Sequence, residues 1–139
     1  MKKTLSLTVA ILILFSICVL AVSCARGDDD KMLYTEDTTL GTGSKTVTLT
    51  VEHLDGTKIT FTVKTDKTIL ADALLEHNLI EGETDIYGLY VKKVNGITRD
   101  YDKDRTYWAL YVNGEYSMEG VSSVEITEGA AYTYKASTY

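Results

Sequence analysis

No proline occurs anywhere in this chain, and cysteine, histidine and phenylalanine appear only twice each. Each scarcity removes something. Without proline, no helix or strand is broken by a residue that lacks an N–H. Only His53 and His77 could act as bases at neutral pH, and they sit at a strand end and a helix end. No serine lies in a nucleophile-elbow context, and no glycine-rich phosphate loop is present. The chain reads as a non-enzyme. Positive charge is also short: 14 lysines and arginines stand against 20 aspartates and glutamates, a net charge of −6. Such a surface repels phosphate backbones, which argues against nucleic acid as a partner. Glu81 and Glu83 fall in a polar stretch read as a solvated loop. Asp100-Tyr101-Asp102-Lys103-Asp104 has the alternating aspartates of a calcium loop. Arg105 and Tyr111 occupy the positions where such a loop needs glycine and glutamate. The segment reads instead as an acidic hairpin loop balanced by Lys103 and Arg105. No metal or cofactor is expected.

What the chain does have begins at its N-terminus. Lys2 and Lys3 precede an uncharged run from Thr4 to Ser23. A basic start, an apolar middle and small residues before Cys24 have the pattern of a secretion signal over residues 1–23. Ala21-Val22-Ser23-Cys24 resembles a bacterial lipobox, which implies a diacylglyceryl thioether on Cys24 and cleavage before it. Each acyl methylene buried in a bilayer contributes about 0.8 kcal/mol, so lipid on Cys24 is the expected membrane partner. Cys18 would leave with the signal, so the mature domain would hold neither a free thiol nor a disulfide. Loss of Lys2 and Lys3 would leave twelve basic against twenty acidic residues, a net charge near −8. Residues 24–44 are polar, end in Gly41-Thr42-Gly43-Ser44, and read as a flexible tether. The location implied is extracytoplasmic and lipid-anchored. The folded part is residues 45–139, large enough to close one core without covalent staples.

From Val47 onward, apolar residues alternate with threonine: Val47, Leu49 and Val51, then Ile59, Phe61 and Val63. Two amphipathic strands follow. A two-residue Asp55-Gly56 turn would set Val51 opposite Thr60 and mix the two faces. A three-residue loop, Leu54-Asp55-Gly56, sets Val51 opposite Ile59 and Leu49 opposite Phe61. Gly56 then takes the left-handed position. Ile69, Leu70, Ala73, Leu74 and His77 recur at helical spacing. Asp66 or Thr68 is the expected cap, Asn78 the expected stop, and the length ten or eleven residues. Gly88 to Val94 reads as a strand turning at Asn95-Gly96, and Tyr107 to Val112 as another turning at Asn113-Gly114. Val124 and Ile126 suggest a short strand, and Tyr132 to Ala136 a last one. The economical architecture is α+β: a β-grasp-like mixed sheet crossed by one helix.

The segment from Arg105 to Val121 holds the only tryptophan, with Tyr107, Tyr111 and Tyr116 around it. By strand parity Trp108, Leu110 and Val112 share one face, and Tyr107, Ala109 and Tyr111 the other. The first face should be core. The tyrosine face, running on to Asn113 and sharing its side with the hairpin threonines, is either an ordinary solvent-facing sheet or a surface for a ligand or partner.

From about Lys58 to Tyr139 the chain resembles the transcobalamin-like C-terminal domain, the smaller β-rich part of animal cobalamin carriers. The resemblance lies in "TILADALLEH", "YGLYVKKVNG", "TYWALYVNG", Glu119-Gly120-Val121 and "AYTYKAS". It implies the β-grasp-like fold. It also implies a non-catalytic module that holds a small ligand, such as a corrinoid, against a second protein part. By position it points to Trp108, Leu110 and Tyr111, with Tyr87 and Gly88 at the other motif, as contacts. The other expectation is a domain that docks a surface protein and takes no small ligand.

Overall fold

The computed structural model describes residues 30–139; the expected signal, Cys24 and the first tether residues lie outside that range. Strands β1 (Thr38–Gly41), β2 (Lys45–Glu52) and β3 (Lys58–Thr65) come first, and helix α1 (Leu70–Glu76) follows. Next are β4 (Ile80–Asp85), β5 (Gly88–Val94), β6 (Ile97–Thr98) and the one-turn helix α2 (Tyr101–Asp104). Strands β7 (Thr106–Val112) and β8 (Glu115–Tyr116), a 3-10 turn (Val121–Ser123) and β9 (Ala131–Thr138) complete the chain. The order in the main sheet is β1-β3-β2-β9-β7-β8, with β9 parallel to β2 and antiparallel to β7. A hairpin, a helix, and a last strand lying parallel beside the first make this the expected α+β arrangement.

The first hairpin has the predicted register. Val51 faces Ile59 and Leu49 faces Phe61, and the loop closes through the His53 amide donating to the Thr57 carbonyl at 2.9 Å. Gly56 has φ +89°, and a Cβ there would meet nothing within 4 Å, so only backbone conformation calls for glycine. The even register puts Val47, Leu49, Val51, Ile59, Phe61 and Val63 in one buried row. Leu70, Ala71, Ala73 and Leu74 of α1 enter the same core.

Four expectations are corrected. The helix is seven residues, and neither Asp66 nor Thr68 caps it. Ile69 is extended and bridges Glu125, so the Leu70 N–H is satisfied by the Val124 carbonyl at 2.9 Å. Asp66 instead accepts from the Ser44 amide and hydroxyl. Asn78 does sit left-handed at φ 56°. Second, Val124 and Ile126 form no strand of their own; they are buried on either side of that bridge. Third, Glu81 and Glu83 lie on β4 rather than in a loop. There Glu81 forms an ion pair with Lys93 directly opposite and Glu83 one with Lys92 on the diagonal, and β4-β5-β6 forms a second sheet. The residues are polar because both charges stay exposed, and polar runs carry no strand signal.

The fourth concerns the tether. Thr38–Gly41 adds a parallel strand to β3, and residues 31–37 lie along the fold. Asn95, fully buried at the β5–β6 turn, holds Tyr34 at both ends: its Oδ1 accepts from the Tyr34 N–H and its Nδ2 donates to the Tyr34 carbonyl, each at 2.9 Å. The Leu33 amide donates to the Asn95 carbonyl, and the Tyr34 ring packs edge-on against Phe61 at 5.3 Å. Asp37 accepts from the Thr60 amide at 2.8 Å. The polar composition of this arm reflects its surface position. Its order comes from partners more than twenty residues away.

Candidate functional site

The second sheet does not cover the whole core face of the first. Between β5 and β7 a cleft of about 250 Å³ remains. Leu89, Tyr90 and Val91 wall one side, Trp108 and Leu110 the other, and Tyr134 reaches it from β9. The chain from Tyr116 to Val121 closes one end. Alternation along β7 and β9 places these side chains. Trp108 pairs with Ala136 and Leu110 with Tyr134, both on the core parity. Burial pushes the Tyr134 phenol far above the usual tyrosine range, so it stays neutral there.

Trp108 belongs to both core and cleft. It is 7% exposed, its indole N–H donates to the Ile97 carbonyl at 3.1 Å, and its ring meets His53 edge-on at 5.8 Å. Parity buries the tryptophan, and one edge of this core ring also forms a wall of the cleft. Leu110 stands beside it. Tyr111 does not join them. It points to the opposite face with Tyr107 and Thr133, half-buried, its ring edge-on to Tyr116 at 5.7 Å. Asn113 is a turn residue at φ 50°, and its side-chain carbonyl accepts from the Ala131 amide at 2.9 Å, so that oxygen is already engaged.

Tyr87 and Gly88 form the tip and first residue of the β4–β5 hairpin. Asp85 Oδ1 accepts from the Tyr87 amide at 2.7 Å. Gly88 stands so close to the 3-10 turn that a Cβ would lie 2.8 Å from the Ser122 Cβ. The Ser122 hydroxyl oxygen accepts from the Leu89 amide at 3.0 Å, which fixes the start of β5 against the main body. The tip beyond is free: Ile86 is 90% and Tyr87 84% exposed. At the mouth of the cleft Met118 is 92% exposed; the exposed rings of Tyr90 and Tyr116 lie on the opposite faces of their strands, Tyr116 against Tyr111. A large apolar side chain in water beside a cleft is a feature of this surface that folding does not explain.

Sequence reasoning missed Leu89, Tyr90, Val91, Met118 and Tyr134 as cleft residues. Their spacing marks them as strand or loop residues, but only the approach of the second sheet to the first makes them a wall. Elsewhere the acidic segment is occupied with its own backbone. Asp100 accepts from the Asp102 amide, and Asp104 from the amide and hydroxyl of Thr106, which holds the Asp104 carboxyl below its usual range. Arg105 lies over the Tyr101 ring at 5.1 Å. Among the described residues, no three His, Cys, Asp or Glu side chains gather where a metal could bind.

Residues 67–134 match a family model described as a domain of unknown function, DUF4430. No curated protein matches the chain. Among solved structures, the chain is similar to a Ruminococcus gnavus protein to which metal binding has been provisionally ascribed. Identity there is 29% and the TM-score 0.66, over 69% of this chain and 99% of the other. It is also similar to haptocorrin in complex with Cbi, with 23% identity and a TM-score of 0.53 over 72% of this chain. That match spans 27% of haptocorrin. The fold is therefore transcobalamin-like.

Proposed function

We propose that this protein is a non-catalytic extracytoplasmic binding module, held to a membrane by lipid on Cys24, whose β5–β7 cleft takes a small amphipathic ligand such as a corrinoid. The observation that carries the reading is the cleft itself, where the side chains of Leu89, Val91, Trp108 and Leu110 stand beside polar backbone and exposed Met118 lies at the mouth. Such sites combine apolar lining with a few polar groups that orient the ligand. The haptocorrin likeness supports a corrinoid as the first ligand to test. Because the match spans about a quarter of haptocorrin, a second protein would cover the rest of so large a ligand. The ordered arm sharpens the tethering. Six residues lie between Cys24 and Lys31, seven steps along the chain, so an anchor on Cys24 would hold the domain within about 25 Å of the lipid surface.

Titration of the purified domain with dicyanocobinamide tests this directly. A saturable shift of its visible spectrum, weakened by Met118→Ala, is expected. A spectrum unchanged at millimolar protein removes the corrinoid reading.

A second reading has its own support. Ile86 and Tyr87 stand on a hairpin tip, almost fully in water. Exposed apolar residues at a projecting turn suit the docking of another surface protein, without any small ligand.

A further inference from the structure

Backbone pairing along β7 is incomplete on the side that faces the cleft. The Asn113 amide donates to the Ala131 carbonyl and the Tyr139 amide to the Arg105 carbonyl. Odd-numbered residues of β7 therefore exchange hydrogen bonds with β9, and even-numbered ones point the other way. On that other side Val112 pairs with Glu115 of β8, the Leu110 carbonyl accepts from the Ser117 amide at 2.9 Å, and the Thr106 amide donates to Asp104. The Leu110 N–H, both backbone groups of Trp108 and the Thr106 carbonyl have no partner among the described residues.

The gap has a local cause. After Tyr116 the chain would continue along β7, but Ser117 diverts it. Its hydroxyl donates to the Glu119 carbonyl at 2.8 Å and accepts from the Glu119 amide at 3.2 Å, a turn that lifts Met118 away from the sheet. The cleft occupies the place next to Trp108 and Leu110 where β8 would have gone on.

We propose that this edge of β7 accepts an extended segment of a partner polypeptide as an added strand, antiparallel to β7 and in line with β8. The occupant follows from the chemistry. Open donors and acceptors repeat along the edge every second residue, about 6.8 Å apart, which is the repeat of another strand's main chain. A residue set opposite Trp108 or Leu110 would turn its side chain to the core parity, toward Leu89, Val91 and Val121, so an apolar residue belongs there. The next residue would face the side of Tyr107 and Tyr111. Strand edges left open are ordinarily shortened, charged or covered. This one is bordered instead by a cleft in which its free backbone groups stand beside Leu89, Val91 and Val121. The proposal rests on the protein-docking reading and places its contact at β7 as well as at the hairpin tip.

A random hexapeptide library displayed on phage and panned on the folded domain tests it, with backbone amide exchange followed by NMR. Recovered peptides should be extended with alternating apolar residues, and should slow exchange of the Trp108 and Leu110 amides at least tenfold. N-methylation at alternate peptide positions should abolish binding, while methylation at the intervening positions should leave it. Failure to recover any peptide, or peptides that protect β1 or no strand amide at all, overturns the proposal. Dicyanocobinamide added to the peptide complex separates the two readings. Displacement shows one shared cleft. If cobinamide does not bind while the peptide does, the corrinoid reading fails and the added strand stands.

Discussion

Replacing Asn95 tests whether residues 31–41 belong to the fold. Its amide makes two hydrogen bonds to the Tyr34 backbone inside a fully buried site, and its own backbone is left-handed at φ 49°. Asn95→Gly keeps the conformation and removes only the side chain. Two bonds at about 0.5–1.5 kcal/mol each give about 1–3 kcal/mol, and more if the freed Tyr34 groups stay dry. Asn95→Ala should lose about 1 kcal/mol more than Asn95→Gly, because glycine sheds the Cβ that asparagine and alanine both hold at positive φ. At about 4–8 °C per kcal/mol for a domain near this size, Asn95→Gly should lower Tm by about 10 °C and Asn95→Ala by more. The assay pairs thermal unfolding with amide exchange at Leu33, Tyr34 and Thr60, since release of the arm frees all three together. If Asn95→Gly melts within a degree of the natural protein, or if the arm exchanges freely without the substitution, the arm does not contribute to the fold and the tether reading of 31–41 returns.

The aromatic segment should separate by face. Trp108→Ala removes a core ring and leaves the Ile97 carbonyl unpaired, costing about 3–5 kcal/mol, enough to unfold most of the domain by circular dichroism. Tyr111→Ala loses mainly an edge contact with Tyr116, about 0.5–1.5 kcal/mol, and should still melt cooperatively; a loss as large as that of Trp108 would show the tyrosine face to be core. Gly56→Val has room for its side chain but forces a β-branched residue to φ +89°, so urea unfolding should show a loss of about 1–3 kcal/mol, and no loss would mean the loop re-forms in another register. His53 is buried, and burial holds its pKa below the usual 6.5; Asp55 opposes the shift and Arg99 adds to it. The unfolded chain thus takes up the proton first. Stability should be full above pH 6.5 and fall on acidification below it, and His53→Gln should flatten that slope in urea titrations; an unchanged slope would assign it elsewhere. Cys24→Ala should yield a protein without acyl groups in intact mass spectrometry and release it from membranes, and natural protein isolated from membranes without acyl groups would refute the anchor.

Period and turn chemistry in the sequence were enough for the local elements. Alternation of Val47-Leu49-Val51 with Ile59-Phe61-Val63 permits one register, because a slip of one residue exchanges the two faces, and the hairpin has that register. Asn95-Gly96 and Asn113-Gly114 mark turns that need positive φ, and both are there. Parity alone put Trp108 inside. What tertiary structure decided are relations with no local signature. Residues 31–41 look like linker because their order depends on Asn95, Phe61 and β3, far along the chain. Asp66 looks like a helix cap, yet Ser44 claims it and the bridge at Glu125 takes over the start of α1. The cleft is the clearest case. It exists because β4-β5-β6 forms a separate sheet that stops short of β7, and because Ser117 turns the chain away from the edge. Each lining residue has an ordinary place in its own strand, and only the packing of two sheets leaves a gap between them.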